Sequence, residues 1–199
     1  MKDIQMRFPV TALQNVADVR LGITLRGADA ARHVQDGSHQ LLRIGDLSDE
    51  GELRIATPNL IRLSQADADH FGLREGDVLL AARGTRMTAA VFRGGFAAVA
   101  GSQFCVIRVK QNVLPAYLYW FLNLPETQEK LAAGARGTYV KSLPASTLRE
   151  LKIPVLPLPK QKAIAELHEL RLSEKRLVAE LLNLRARIID QSALNFINR

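Results

Sequence analysis

The last forty residues constrain this chain most. From Lys160 to the C-terminus there is no Gly and no Pro, and Leu167, Leu170, Leu177, Leu181, Leu184 and Ile188 recur at three- and four-residue steps, interrupted only at Glu174. That spacing predicts one long helix with a coiled-coil-like seam. A second series follows the same steps, Leu172, Ala179, Leu182, Ala186, Ile189, Ala193 and Phe196. At about 100° per residue it faces roughly opposite the first. A helix apolar on two faces needs two partners. At 1.5 Å per residue it would span roughly 58 Å, more than a small globule covers.

Immediately before it stands "IPVLPLP", residues 153–159. Pro154, Pro157 and Pro159 are poor residues for a helix interior or a central strand, so this segment is expected to be a stiff extended bracket that sets the direction of the helix.

The first 150 residues read as a mixed α and β globule. Apolar alternation marks strands at 41–47, 77–83, 89–93, 96–100 and 104–109, each bounded by Gly, Asp or Ser. "PAYLYWFLNLPETQEKLAAGA" reads as one or two helices, with Pro115 in a first turn and Gly134 as a stop. The fold class expected is therefore α+β, a mixed globular domain followed by one long C-terminal coiled-coil-like helix. Residues 1–153 would form the globule, 154–159 the connector and 160–199 the helix.

No apolar run approaches the roughly 18 residues of a membrane span, and the first residues hold no apolar signal core, so a cytoplasmic protein without membrane contact is expected. The single cysteine, Cys105, lies in "QFCVIRV" and reads as a small core residue rather than a reactive thiol. The four histidines, His33, His39, His70 and His168, have no metal-ligand spacing and read as surface or loop residues. Neither a Gly-x-Gly-x-x-Gly nor a Walker-type loop occurs. Neither cofactor nor metal is expected.

Charge is unevenly placed. Net charge is +7, and from Val78 to Pro125 there is no Asp or Glu. Residues 83–149 carry Arg83, Arg86, Arg93, Arg108, Lys110, Lys130, Arg136, Lys141 and Arg149 against only Glu126 and Glu129. Such a block suits a polyanion. Two Gly-containing loops are its best contact points: "ARGTRMT", with Arg83, Thr85, Arg86 and Thr88, and "ARGTYVKS", with Arg136, Thr138, Tyr139, Lys141 and Ser142. Arg grips guanine or phosphate, hydroxyls and backbone amides suit phosphate oxygens, and Tyr packs on a base or sugar. The competing bland reading is a pair of solvated turns.

The order "REGDVLLAARGT", "PAYLYWFLN" with "ETQEKL", then "ARGTYVKSLPASTLRELKIPVLPLPKQKAIAEL" and a long helix resembles the DNA specificity (S) subunit of type I restriction-modification systems. Its most specific part is the series Gly-Thr-x-x-x-x-Leu, Ile-Pro-x-x-Pro-Leu-Pro and Gln-Lys-x-Ile-Ala, and the likeness is strongest from Leu73 to Leu170. The resemblance implies a non-catalytic target recognition domain that reads part of a bipartite site in double-stranded DNA. It implies a helix that spaces two such domains and docks methyltransferase (M) subunits, with a restriction (R) subunit as a further partner. One recognition domain and one helix correspond to a half-length form. Such a form is expected to pair with itself through the Leu167 to Ile188 seam, with Glu174 setting register against Lys175, Arg176 or Arg185 of the other copy.

Two alternatives differ in class. "ELK", Glu150 to Lys152, mimics half of a metal-dependent nuclease site, with Glu126 or Glu129 standing in for the absent upstream aspartate. The other is an interaction protein that competes for the modification subunits without reading DNA.

Overall fold

In the computed structural model, residues 8–25, 36–84, 87–137 and 141–197 are described. Strand β1 (Val10–Ala12), helix α1 (Leu13–Val16) and β2 (Ala17–Leu21) open the chain; β3 (His39–Leu42), β4 (Leu60–Ile61), α2 (Gln65–Phe71), β5 (Val78–Ala81), β6 (Ala89–Val91), β7 (Ala98–Ala100) and β8 (Phe104–Val109) follow. Helices α3 (Pro115–Leu122), α4 (Pro125–Gly134) and α5 (Ala145–Glu150), strand β9 (Lys152–Pro154) and the long α6 (Leu158–Ile197) complete it.

The central sheet is antiparallel, in the order β2-β8-β5-β6. Its period-two alternation feeds two cores at once. Val78, Leu80, Cys105 and Ile107 point to one face, where Leu13, Val16, Tyr117, Leu118, Leu122, Leu131, Leu148 and Ile153 of the helices and β9 close over them. Leu79, Phe104 and Val106 point to the other, onto Leu42, Phe92, Ala98 and Ala100. A second sheet, β4-β3-β7, joins β3 and β7 in parallel, and its far face buries Leu41, Ile61 and Val99 with Ile23. With both faces covered, β5 is buried along its whole length.

Proline placement explains the helix starts. Pro115 and Pro125 each occupy the first turn of a separate helix, where a missing N–H costs nothing. The sequence 41–47 departs from the expected strand: pairing stops at Leu42, and Ile44–Asp46 form a single 3-10 turn closed by the Arg43 N–H donating to Asp46 Oδ2 at 2.7 Å. The strands expected at 89–93 and 96–100 are also shorter, because Gly94 and Gly95, at φ 76° and 91°, turn the chain between them.

The connector is shorter than the prolines suggest. Ile153 and Pro154 belong to β9, which pairs antiparallel with β1 in a two-stranded ribbon that has room for a residue without N–H. At the other end α6 already begins at Leu158, so Pro159 sits in its first turn. The extended bracket is Val155 to Pro157, tied down by the Val155 N–H donating to Pro9 O at 2.9 Å. The helix it launches has 40 residues, about 60 Å of α-helix. Among the described residues no helix is long and apolar enough to cross a membrane.

Candidate nucleic-acid interface

The two Ala-Arg-Gly-Thr stretches are far apart in sequence and adjacent in space. Beyond the end of β5, the Leu143 N–H donates to Ala82 O at 2.8 Å and the Gly84 N–H to Lys141 O at 3.0 Å. Ser142 then exchanges both backbone hydrogen bonds with Arg136, at 2.8 and 2.9 Å. Segments 82–84, 141–143 and 136 thus lie side by side as a small irregular ladder, with Ser142 bridged to Arg83 and to Arg136. In each stretch the glycine takes a left-handed conformation, Gly84 at φ 122° and Gly137 at φ 111°. A Cβ at Gly84 would meet nothing, so the requirement there is backbone conformation rather than space.

Arg83, Arg136 and Lys141 are all exposed on this rim, and Ser142 and Thr88 are half-buried behind it. Thr88 accepts the Ala81 N–H through its backbone carbonyl at 2.9 Å. Thr85, Arg86, Thr138 and Tyr139 lie outside the described residues. Two amides that sequence reasoning passed over hold the returning strand: Asn123 exchanges hydrogen bonds with the backbone of Ala89, and Gln128 Nε2 donates to Met87 O at 2.9 Å.

The fold also sorts the cations. Arg108 forms a two-pronged pair with Asp77, at 2.8 and 2.6 Å, whose carboxylate is 1% exposed. Hydrogen bonding to that carboxylate raises the Arg108 pKa further. Arg93 pairs with Glu169 of α6 at 2.7 Å, Lys110 lies 3.7 Å from Asp18, and Arg149 donates to Val19 O at 2.8 Å. Among the described residues, Arg83, Lys130, Arg136 and Lys141 of the block have neither an ion pair nor a side-chain hydrogen bond.

The root of α6 is locked to the globule. Gln161 is fully buried; its Oε1 accepts the Leu114 N–H at 2.8 Å, and its Nε2 donates to Asn112 O at 2.9 Å and Leu156 O at 2.7 Å. One amide therefore ties the helix, the bracket and the start of α3 together. Further along the root, Ile164 and Leu172 pack against the main core and Ala165 is buried. His168, expected at the surface, instead lies against the Tyr119 ring at 5.2 Å with its Nε2 buried and unpartnered, and burial lowers its pKa. Lys175 reaches Glu50 at 3.7 Å and Arg176 reaches Glu52 at 3.3 Å.

The globule therefore occupies the root of the second face only. The first seam is bare throughout: Leu167, Leu170, Leu177, Leu181, Leu184 and Ile188 are 46–68% exposed. Beyond Arg176 the second face is bare too, at Leu182, Ile189 and Phe196. Glu174 is exposed; of its three proposed cationic partners, Lys175 and Arg176 are engaged with the chain's own globule.

Glu150 ends α5 and Lys152 opens β9, both exposed, while Glu126 and Glu129 are exposed on α4. Among the described residues no group of three or more His, Cys, Asp or Glu is placed to hold a metal ion, and no feature favours a nuclease. Cys105 is fully buried, and burial pushes its thiol up to about 11.

Comparison with solved structures places this fold. The HsdS subunit from Thermoanaerobacter tengcongensis superposes with a TM-score of 0.61 at 18% identity, over 87% of this chain and 39% of that one. The S subunit of a type I restriction-modification system from M. genitalium gives 0.58 at 17% identity, over 96% and 46%. A chain from a structure describing complex assembly and conformational transition of the type I R-M system gives 0.65 at 18%, over 90% and 43%. The chain thus spans less than half the length of each. No curated protein sequence matches it. Residues 11–170, covering most of the globule, the bracket and the root of α6, match the model of the type I restriction modification DNA specificity domain, and the chain belongs to that family.

Proposed function

We propose that this chain reads a short sequence in duplex DNA and carries methyltransferase subunits, with or without a restriction subunit, to a bipartite site. It catalyses no reaction itself. Residues up to 153 act as the target recognition unit, the proline-rich segment as the bracket and the helix as the spacer. The observation that carries this reading is the convergence of the two Ala-Arg-Gly-Thr stretches on one rim, where Arg83, Arg136 and Lys141 are exposed together. Three cations with glycine-freed backbone on one edge form a surface that fits a duplex groove.

The bare seam supports pairing of two copies. Leaving Leu170, Leu177, Leu181, Leu184 and Ile188 in water forgoes burial worth about 25 cal/mol per Å² of apolar surface. A two-fold pair would present two identical rims in opposite orientation, and its target would be an interrupted inverted repeat.

Fluorescence anisotropy with the duplex found by methylation mapping tests the reading. Arg83→Ala, Arg136→Ala and Lys141→Ala should each weaken binding, by roughly 1–3 kcal/mol and with relaxed preference at one position wherever a base contact is lost. Binding untouched by the triple variant would refute the rim. Leu177→Glu with Leu184→Glu should give a monomer by light scattering; a wild-type monomer at micromolar concentration would refute self-pairing.

A further inference from the structure

A second basic feature lies at the same end of the central sheet. β2 and β5 flank β8 on either side and run parallel to each other, so Leu21 and Leu80 are both paired with Cys105. The chain leaving β5 enters the rim through Ala82, whereas the chain leaving β2 enters an open groove of about 910 Å³. Two strand spacings of 4.7–4.9 Å separate these exits by about 10 Å. Helix α5, which follows Ser142, Leu143 and Pro144 from the rim, packs beside β2 and contributes Arg149 to the groove.

Among the described residues, three guanidinium groups line that groove: Arg20, Arg62 and Arg149. Arg20 is held from within. Its Nη2 donates to Phe71 O and Gly72 O at 3.2 and 3.3 Å, and it lies over the Phe71 ring at 5.9 Å. Its Nη1 is buried with no partner. The nearby carboxylate that would neutralise it, Asp77, is committed to Arg108 and to the Arg74 N–H. Among the described residues of the groove wall the one carboxylate, Asp67, accepts from the Ser64 hydroxyl at 2.7 Å. Arg62 is paired with Asp36, both strongly exposed, so that pair exchanges readily with solvent or another anion. Arg149 is anchored by one nitrogen to Val19 O and is otherwise exposed.

We infer that this groove is a second DNA contact, a sequence-independent seat for the phosphodiester backbone, in which Arg149 and Arg62 hold phosphate oxygens while the rim about 10 Å away faces the base edges. Both guanidinium groups are open to solvent at the groove, where charge-assisted hydrogen bonds to phosphate can form, and the enclosed Arg20 adds positive charge beneath them. The separation is close to the roughly 12 Å width of the major groove, so a rim entering that groove brings a flanking backbone towards α5. The inference rests on the proposed DNA-reading function, and it assigns a division of labour that the function does not require.

The test measures affinity against salt concentration for the full chain on its mapped duplex and on a scrambled duplex. Arg149→Ala should lower the slope of log K against log salt by about 0.9 and weaken both duplexes by the same factor, leaving their ratio unchanged. Arg149→Lys should restore most of the slope. Arg149→Ala combined with Arg62→Ala should change the slope by about twice the single value. An unchanged slope in the Arg149 and Arg62 variants overturns the inference, as does a changed preference between the two duplexes, or an equal slope change from Lys162→Ala on α6. The rim variants fail or succeed separately: loss of binding with Arg83→Ala and Lys141→Ala alongside inert groove variants sinks only the groove, whereas the reverse pattern sinks the rim and leaves the phosphate seat standing.

Discussion

Replacing Gln161 with Ala should cost about 3 kcal/mol of globule stability. The side chain is fully buried and makes three hydrogen bonds of 2.7–2.9 Å, one to the Leu114 N–H and two to the carbonyls of Asn112 and Leu156. Each such bond contributes about 0.5–1.5 kcal/mol net, and the groups left behind are enclosed by the α3–α6 contact. Three bonds at the middle of that range give the figure, and the vacated volume adds to it. Urea unfolding followed by fluorescence of Trp120, the sole tryptophan, reads the effect from within α3. The midpoint should fall with the m-value unchanged, since the same surface is exposed on unfolding. Far-UV helicity at zero urea should be retained, because α6 beyond Arg176 is exposed along its described length and does not depend on the clasp. A loss below about 1 kcal/mol, or one matched by Lys162→Ala at the exposed neighbouring position, would refute the claim that this amide fastens the helix.

Other outcomes follow from the same structure. Asp77→Asn should cost about 2–3 kcal/mol by urea titration, below the 3–5 kcal/mol of fully buried pairs because Arg108 remains 31% exposed. His168 has a folded pKa below its ordinary 6.5, lowered by burial against Tyr119 and further by Arg171, with Glu169 opposing. The unfolded chain therefore takes up the proton first, so stability is full above pH 6.5 and falls as pH drops below it. His168→Gln should flatten that part of a urea-midpoint profile between pH 8 and 5.5; an unaltered profile would show that another group is responsible. Cys105, with its thiol pushed up to about 11 by burial, should not react with a thiol reagent at pH 8 until the protein unfolds. Labelling at the rate of a free thiol in the native state would contradict its burial.

The features legible from the chain alone are those set by local period. The 3.6-residue recurrence of leucine without Gly or Pro specifies a long helix wherever its partners are, and Pro115 marks a helix start because a missing N–H is harmless only there. Alternation in 77–83 and 104–109 specified strands, and the commitment of Cys105 to a core followed from its apolar neighbours. What the period leaves open is who pairs with whom. Arg83 and Arg136 carry the same chemistry in the same tetrapeptide, yet only the ladder through Ser142 brings them to one rim. Nine cations look alike in sequence; the reach of Asp77, Glu169 and the Val19 carbonyl decides that Arg108, Arg93 and Arg149 each have a partner while Arg83, Arg136 and Lys141 have none among the described residues. Gln161 and His168 read as polar positions on a helix, and become a clasp and a half-buried ring only when α3 lies across them. A helix with two apolar faces does not reveal which face its own globule takes; the register of Ala165, His168 and Leu172 against α3 settles it, leaving the opposite seam bare because that contact uses only one side of the root.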